Sequence, residues 1–304
     1  MPNSASAELS VVTYEVVHRT QYTYSQPVMV SHHLARLGPR TLSYQECLDH
    51  TLRIEPAPAV QAAHTDYFGN ATTFFAMQGP HTGLAVTARS TVSVTPRSLP
   101  PPSNTPSWEV AAVRSSLPLL ALDGLFDSLT ADAAKTALEY ARPSFPQGRP
   151  YLEAVLDLTG RLYADFTFDP EATTVTTSLA DVFRLRRGVC QDFARAGIAC
   201  LRALGLPALY VSGYLETVPP PGKPRRVGAD ASHAWIAVYC PGSGWIDVDP
   251  TNNMLPSTGH ITLGWGRDYG DVSPVRGVIL GGGEHTLQVS VDVVRVGGAG
   301  TDIS

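Results

Sequence analysis

A cysteine, a histidine and an aspartate in that chain order, Cys190, His233 and Asp249, can act as nucleophile, general base and orienting carboxylate. The imidazole draws the thiol proton and later hands it to a leaving group, while the carboxylate fixes the ring tautomer and favours imidazolium. The stretch Gly188-Val189-Cys190-Gln191-Asp192-Phe193 opens a segment in which Phe193, Ala194, Ala196, Gly197, Ala199, Leu201 and Leu204 recur at helical spacing. Gly205 and Pro207 stop that helix. Cys190 then sits in its first turn, where unpaired N–H groups and the helix dipole favour an anion such as a thiolate. Taken singly, each residue has an ordinary explanation: a core thiol, a hydrogen-bonded core histidine, a turn-starting aspartate before Pro250. Their combination argues for chemistry.

Three strand-like stretches must carry the partners. Ala208 to Leu215 is one, Ala231 to Tyr239 the second and Trp245 to Asp249 the third, with a Pro241-Gly242-Ser243-Gly244 turn between the last two. A tight antiparallel return brings His233 and Asp249 to the same end of the pair. His233 is farther from the turn than Asp249, so the spacing implies a bulge or an offset register. Val218 to Arg226 carries four prolines and reads as a loop. Upstream, Thr130 caps a helix with Asp132 in its first turn, ending before Pro143. Pro150 suits the first position of the next, whose core stripe is Leu152, Val155, Leu156, Leu162, Tyr163 and Phe166. Ser178 and Asp181 open a short helix that Gly188 ends, delivering the chain to Cys190.

The first hundred residues alternate with a period of two: Val12, Tyr14, Val16 and His18, then Tyr22 and Tyr24, then Val28 and Val30. Thr51 to Ile54, Ala71 to Met77 and Leu84 to Thr95 follow suit, so an antiparallel β-sandwich or related all-β unit is expected. Adjacent His32 and His33 point to opposite faces and are not joint ligands. A proline-rich connector, Ser98 to Pro106, marks the boundary between a β unit at residues 1–105 and a catalytic unit at 106–304. A closing strand, His285 to Val296, is assigned to the second unit, although it could pair with either. Gly281-Gly282-Gly283 lacks a following P-loop lysine and reads as a loop.

The chain has 304 residues, 43% hydrophobic, with a net charge of −5, enough to bury a large core and too acidic for a nucleic-acid backbone binder. Its longest apolar run, Leu117 to Leu122, is too short to span a bilayer, and the polar N-terminus shows no signal-peptide pattern. Of the four cysteines none forms a C-x-x-C pair, and a zinc site from Cys190, Cys200, His233 and Cys240 fits no common spacing. A cytoplasmic protein with reduced thiols, no cofactor and no metal is expected.

Gly-Val-Cys-Gln-Asp-Phe at 188–193, Asp-Ala-Ser-His-Ala-Trp at 230–235 and Trp-Ile-Asp-Val-Asp-Pro-Thr-Asn-Asn at 245–253 resemble the three core motifs of the transglutaminase-like superfamily. Tyr14, His18, Thr20, Tyr22, Tyr24, Arg36, Pro39 and Arg40 resemble the bacterial transglutaminase-like N-terminal region, and Gly266-Arg267-Asp268-Tyr269 with Arg276-Gly277-Val278 its tail. The resemblance implies an α+β protein: an N-terminal antiparallel β domain, then a papain-like core of helices packed on an antiparallel sheet. It also implies Cys190 as nucleophile, His233 as base and Asp249, which precedes Pro-Thr, as third member ahead of its rival Asp247. The Cys190 N–H is a natural oxyanion donor; Gln191 and the indoles of Trp235 and Trp245 are candidates for the second, and Asp268 and Tyr269 for the cleft wall. The expected activity is acyl transfer through a thioester on a peptide, protein or small amide, with hydrolysis favoured. Transfer to an amine and a non-catalytic binding scaffold are the alternatives. No calcium requirement is expected, because no EF-hand-like loop occurs. Oligomeric state is left open.

Overall fold

The alternation that begins at Val12 runs past Pro27 to make one 24-residue strand, β1 (Val12–Ala35). After β2 (Gln45–Glu55) and β3 (Val60–Thr65), the two stretches on either side of His81 join in a second 24-residue strand, β4 (Ala71–Val94). The computed structural model describes residues 10–126, 130–174, 176–217 and 232–296. β4 pairs antiparallel with β1 along both of its halves and carries β2 and β3 on its other edge. The β1–β4 register shifts between Thr23 and Val30, where Pro27 offers no backbone donor. Tyr24, Val28, Phe75, Met77, Leu84 and Val86 share one apolar cluster. The expected all-β unit is therefore built on one continuous sheet.

A run of helices follows: α1 (Trp108–Ala111), α2 (Leu119–Asp123) and α3 (Ala131–Ala141). Thr130 caps α3 as its sequence suggests, its hydroxyl accepting from the Ala133 N–H at 3.3 Å. In α4 (Tyr151–Asp165), Pro150 is the cap rather than the first helical residue, and Tyr163 is 52% exposed while Leu152, Val155, Leu158 and Leu162 turn inward. Then come β5 (Thr167–Phe168), α5 (Leu179–Leu185) and β6 (Arg187–Gly188). Helix α5 stops before Gly188: Arg186 takes the left-handed conformation at φ 50°, and Arg187–Gly188 then pairs in parallel with β5. That two-residue bridge fixes the chain just before α6 (Cys190–Ala203) begins.

Strands β7 (Ala208–Leu215), β8 (Ser232–Cys240), β9 (Gly244–Val248) and β10 (His260–Gly266) form an antiparallel sheet in the order β10-β7-β8-β9. Ala194, Ile198 and Leu201 of α6 pack with Tyr210, Ile236 and Val248 in the main core. Helix α7 (Tyr269–Val272) leads to β11 (Val275–Gly281) and β12 (His285–Arg295), joined through Gly281, Gly282 and Gly283, all at positive φ. Both last strands pair with β1 in the first sheet. Of the two pairings left open for the closing strand, this is the one with the first unit: residues 275–295 cover the edge of β1, which would otherwise present unpaired backbone groups. Tyr14, Val16, Val92, Val291 and Val293 of that sheet share a cluster with Tyr214, Ile261 and Leu263 of the other. The fold is α+β with antiparallel sheets, as expected. The Val218–Arg226 loop, Asp230, Ala231 and the first nine residues lie outside the described residues.

Candidate active site

Cys190 is the first residue of α6 and half-buried. Its helix start is held by Asp192, whose Oδ2 accepts from the Val189 N–H at 3.0 Å and from the Thr173 hydroxyl at 2.6 Å. Arg195 stands 3.6 Å from the other Asp192 oxygen, an ion pair without a hydrogen bond. Asp192 is thus spent on the turn that aims the thiol.

His233 lies near the head of β8, opposite Gly213 of β7. The β8–β9 register pairs Ile236 with Val248, so its continuation sets Trp235, not His233, across from Asp249. The offset that the spacing demanded is real, and the side chains close it diagonally: His233 Nε2 and Asp249 Oδ2 are 2.7 Å apart. Nε2 is taken by Asp249, which leaves Nδ1 to serve the Cys190 sulfur. Burial alone would lower the His233 pKa, but hydrogen bonds with Asp249 and Cys190, and their charges, raise it to about 9. Burial would likewise raise Asp249, yet bonds from His233 and His260 outweigh it and hold the carboxylate well below its usual range. An imidazolium flanked by carboxylate and sulfur is the state this pocket favours near neutrality.

Asp249 is fully buried and every bond it accepts is identifiable. Oδ1 receives the backbone N–H groups of Thr251 and Asn252 at 2.9 and 3.2 Å. Oδ2 receives His233, the Asn252 amide at 2.8 Å and His260 Nε2 at 3.1 Å. His260, the first residue of β10, was not singled out from sequence: no motif surrounds it, and its strand was not read there either. The ligating atoms of His233, Asp249 and His260 lie within 4.8 Å of one another. A zinc ion bonded to all three would spread them to about 3.3 Å apart. The 2.7 and 3.1 Å contacts to Asp249 are donor–acceptor distances, so this cluster reads as a proton network.

Asp247, the rival carboxylate, faces elsewhere: its Oδ2 accepts from Arg97 at 2.8 Å and from the Tyr44 hydroxyl at 3.2 Å. The Trp235 indole N–H is buried, near Asp247 and without a hydrogen bond, which turns it away from the sulfur as an oxyanion donor. Its ring instead stands edge-on to His260, centroids 5.2 Å apart. Trp245 pairs with Tyr239, six residues along β8 from His233. At strand rise that is about 20 Å away, too far for an oxyanion donor. Gln191 follows Cys190 in the first turn and is half-buried. Asp268 caps α7, accepting from the Gly270 N–H at 2.8 Å, and Tyr269 meets Tyr210 edge-on at 6.3 Å. Tyr210, missed from sequence because it reads as one more core strand residue, neighbours Cys190: burial, then negative charge on the sulfur, keeps its phenol protonated. Cys200 of α6 and Cys240 of β8 are buried in the main core, and all four thiols are free.

Comparison with known proteins gives the family and the fold. Residues 14–93 match the model of the bacterial transglutaminase-like N-terminal region and residues 140–250 that of the transglutaminase-like superfamily. An uncharacterized protein of Mycobacterium tuberculosis is 44% identical, covering 92% of this chain and 92% of its own length. A protein-glutamine gamma-glutamyltransferase of Pseudomonas aeruginosa is 31% identical over 40% of this chain and 19% of that protein. Among solved structures, a proposed cysteine protease from Cytophaga hutchinsonii superposes with a TM-score of 0.73 at 20% identity, covering 97% of this chain and 93% of that one. That likeness shows the fold.

Proposed function

Because the chain belongs to the transglutaminase-like superfamily, we propose that it is a cysteine-dependent acyl-transfer enzyme acting on peptide or amide bonds, with water as the usual acceptor. The observation that carries the reading is the line formed by Cys190, His233 and Asp249, in which the hydrogen bonds on either side of His233 favour its protonated form. The sulfur attacks the carbonyl carbon, and the Cys190 backbone N–H, at the exposed start of α6, supports the developing oxyanion. The His233 Nδ1 proton passes to the leaving nitrogen as the C–N bond breaks, leaving a thioester. Neutral His233 then takes a proton from water as the water oxygen adds to the thioester, the C–S bond breaks to release the acid, and His233 is left protonated beside the sulfur as at the start. Asp249 holds the ring in register throughout.

Transfer to a primary amine is the second reading, favoured by the likeness to the Pseudomonas glutamyltransferase. The same thioester serves both outcomes, and only the acceptor differs. Incubation with peptide and small-amide libraries, with and without a primary amine, separates them by product mass. Hydrolysis leaves the acyl fragment as a free acid with or without amine; transfer leaves it joined to the added amine, and both release the same leaving amine or ammonia. Turnover that survives in Cys190→Ala would sink the proposal.

A further inference from the structure

We propose that His260 is a positioning residue that acts through Asp249, sharing its Oδ2 so that His233 is held as imidazolium less tightly than an undivided pair would hold it. This rests on the reading above of His233 as an imidazolium beside a nucleophilic sulfur. Three donors converge on one oxygen: His233 Nε2, Asn252 Nδ2 and His260 Nε2, the last at 3.1 Å. His260 is 4% exposed, its ring lies against Trp235, and it stands 5.9 Å from the His233 ring by centroids. No water competes for so buried an oxygen, so each donor takes its share of the charge from the others.

The carboxylate does not need His260 to stay in place. Two backbone N–H groups fix Oδ1 and the Asn252 amide fixes Oδ2. Removing the His260 donor therefore leaves Asp249 oriented and more basic, and its whole pull falls on His233. The direction is the same for a neutral or a charged His260, since both donate to the same oxygen. A base that must give its proton to a leaving group gains from this division of charge. Among the described residues, the titratable groups bearing on this pair are Cys190 from α6, Asp249 and Asp247 from the β9 segment and His260 from β10.

The test needs no substrate. Iodoacetate is an anion and gains from an imidazolium beside the sulfur, whereas iodoacetamide does not, so the ratio of their rates at Cys190 falls where His233 loses its proton. Wild type should show that fall near pH 9, where the His233 environment places it. His260→Leu should move it upward by about half a unit to one unit. His260→Gln, whose amide reaches the position of Nε2, should restore it, while His260→Asn, too short to reach Asp249, should behave like His260→Leu. A fold-wide effect would lower thermal stability in all three without separating Gln from Asn. An unmoved or lowered midpoint in His260→Leu, or identical midpoints in His260→Gln and His260→Asn, overturns the proposal while leaving the enzyme reading intact. A wild-type ratio flat with pH overturns both.

Discussion

At the scale of the residue, chemistry here depends on which charges are already engaged. Asp247 and Asp249 are two residues apart and both buried, yet Asp247 is paired with Arg97 and only Asp249 reaches a histidine. The four thiols differ in the same way. Burial raises the pKa of Cys200 and Cys240, and burial with the Asp49 charge raises that of Cys47. Cys190 alone lies beside an imidazole that favours its protonated form. Between pH 6 and 8, iodoacetamide should label Cys190 at least tenfold faster than the other three, as read by peptide mass mapping. Equal labelling of all four would count against a reactive thiol.

At the scale of the element, the base is located by how closely β7, β8 and β10 approach. A side chain at Gly213 would collide with the Ile261 carbonyl and with the Trp235 ring, so glycine is what lets that indole lie across β7 and meet His260. Gly213→Ala should cost about 1–3 kcal/mol in a urea unfolding series. It should also slow Cys190 alkylation, because the displaced indole disturbs His260 and His233 together. An unchanged unfolding midpoint would mean that Trp235 has room to move. Helix α6 shows a similar constraint at Gly197, whose missing side chain makes room for Ile236. The capping of α3 and α5 by Thr130 and Ser178 was legible from neighbouring residues alone, because a cap is a local hydrogen bond. The end of α5 was not. Its bridge to β5 joins residues about twenty apart, and no local pattern announces such a pairing.

At the scale of the whole molecule, the β unit is bound to the sheet that carries the site. Gln45 donates to the Thr262 carbonyl at 2.8 Å and accepts from its N–H at 2.7 Å, so one side chain stands in for a neighbouring strand on β10. His18 is 1% exposed between Tyr214 and Thr20, bonded to each at 2.9 Å. Burial lowers its pKa to about 4, and burial with the charges of His81 and His32 lowers that of His33 to about 4 as well. Both are therefore neutral in the fold while the unfolded chain binds protons below about pH 6.5. Their contribution to stability is complete above that pH and drains away as pH falls from about 6.5 to about 4, for His18 by up to the order of 3 kcal/mol. Thermal melts across that window should show a falling midpoint, and His18→Gln should flatten the fall. A midpoint independent of pH between 7 and 4 would refute it.

From its order of residues alone, this chain disclosed a thiol at a helix start, a histidine and an aspartate on successive strands, an all-β first unit and a connector after it. Those features rest on periodicity, capping and turn residues, whose physics acts within a few positions. Tertiary structure decided the rest: that Asp249 and His233 meet across an offset register, that His260 joins them from eleven residues farther on, and that the last two strands return to cover the first. Those choices depend on which strand edges and buried charges remain unpartnered once the core has closed, and no local pattern holds that information.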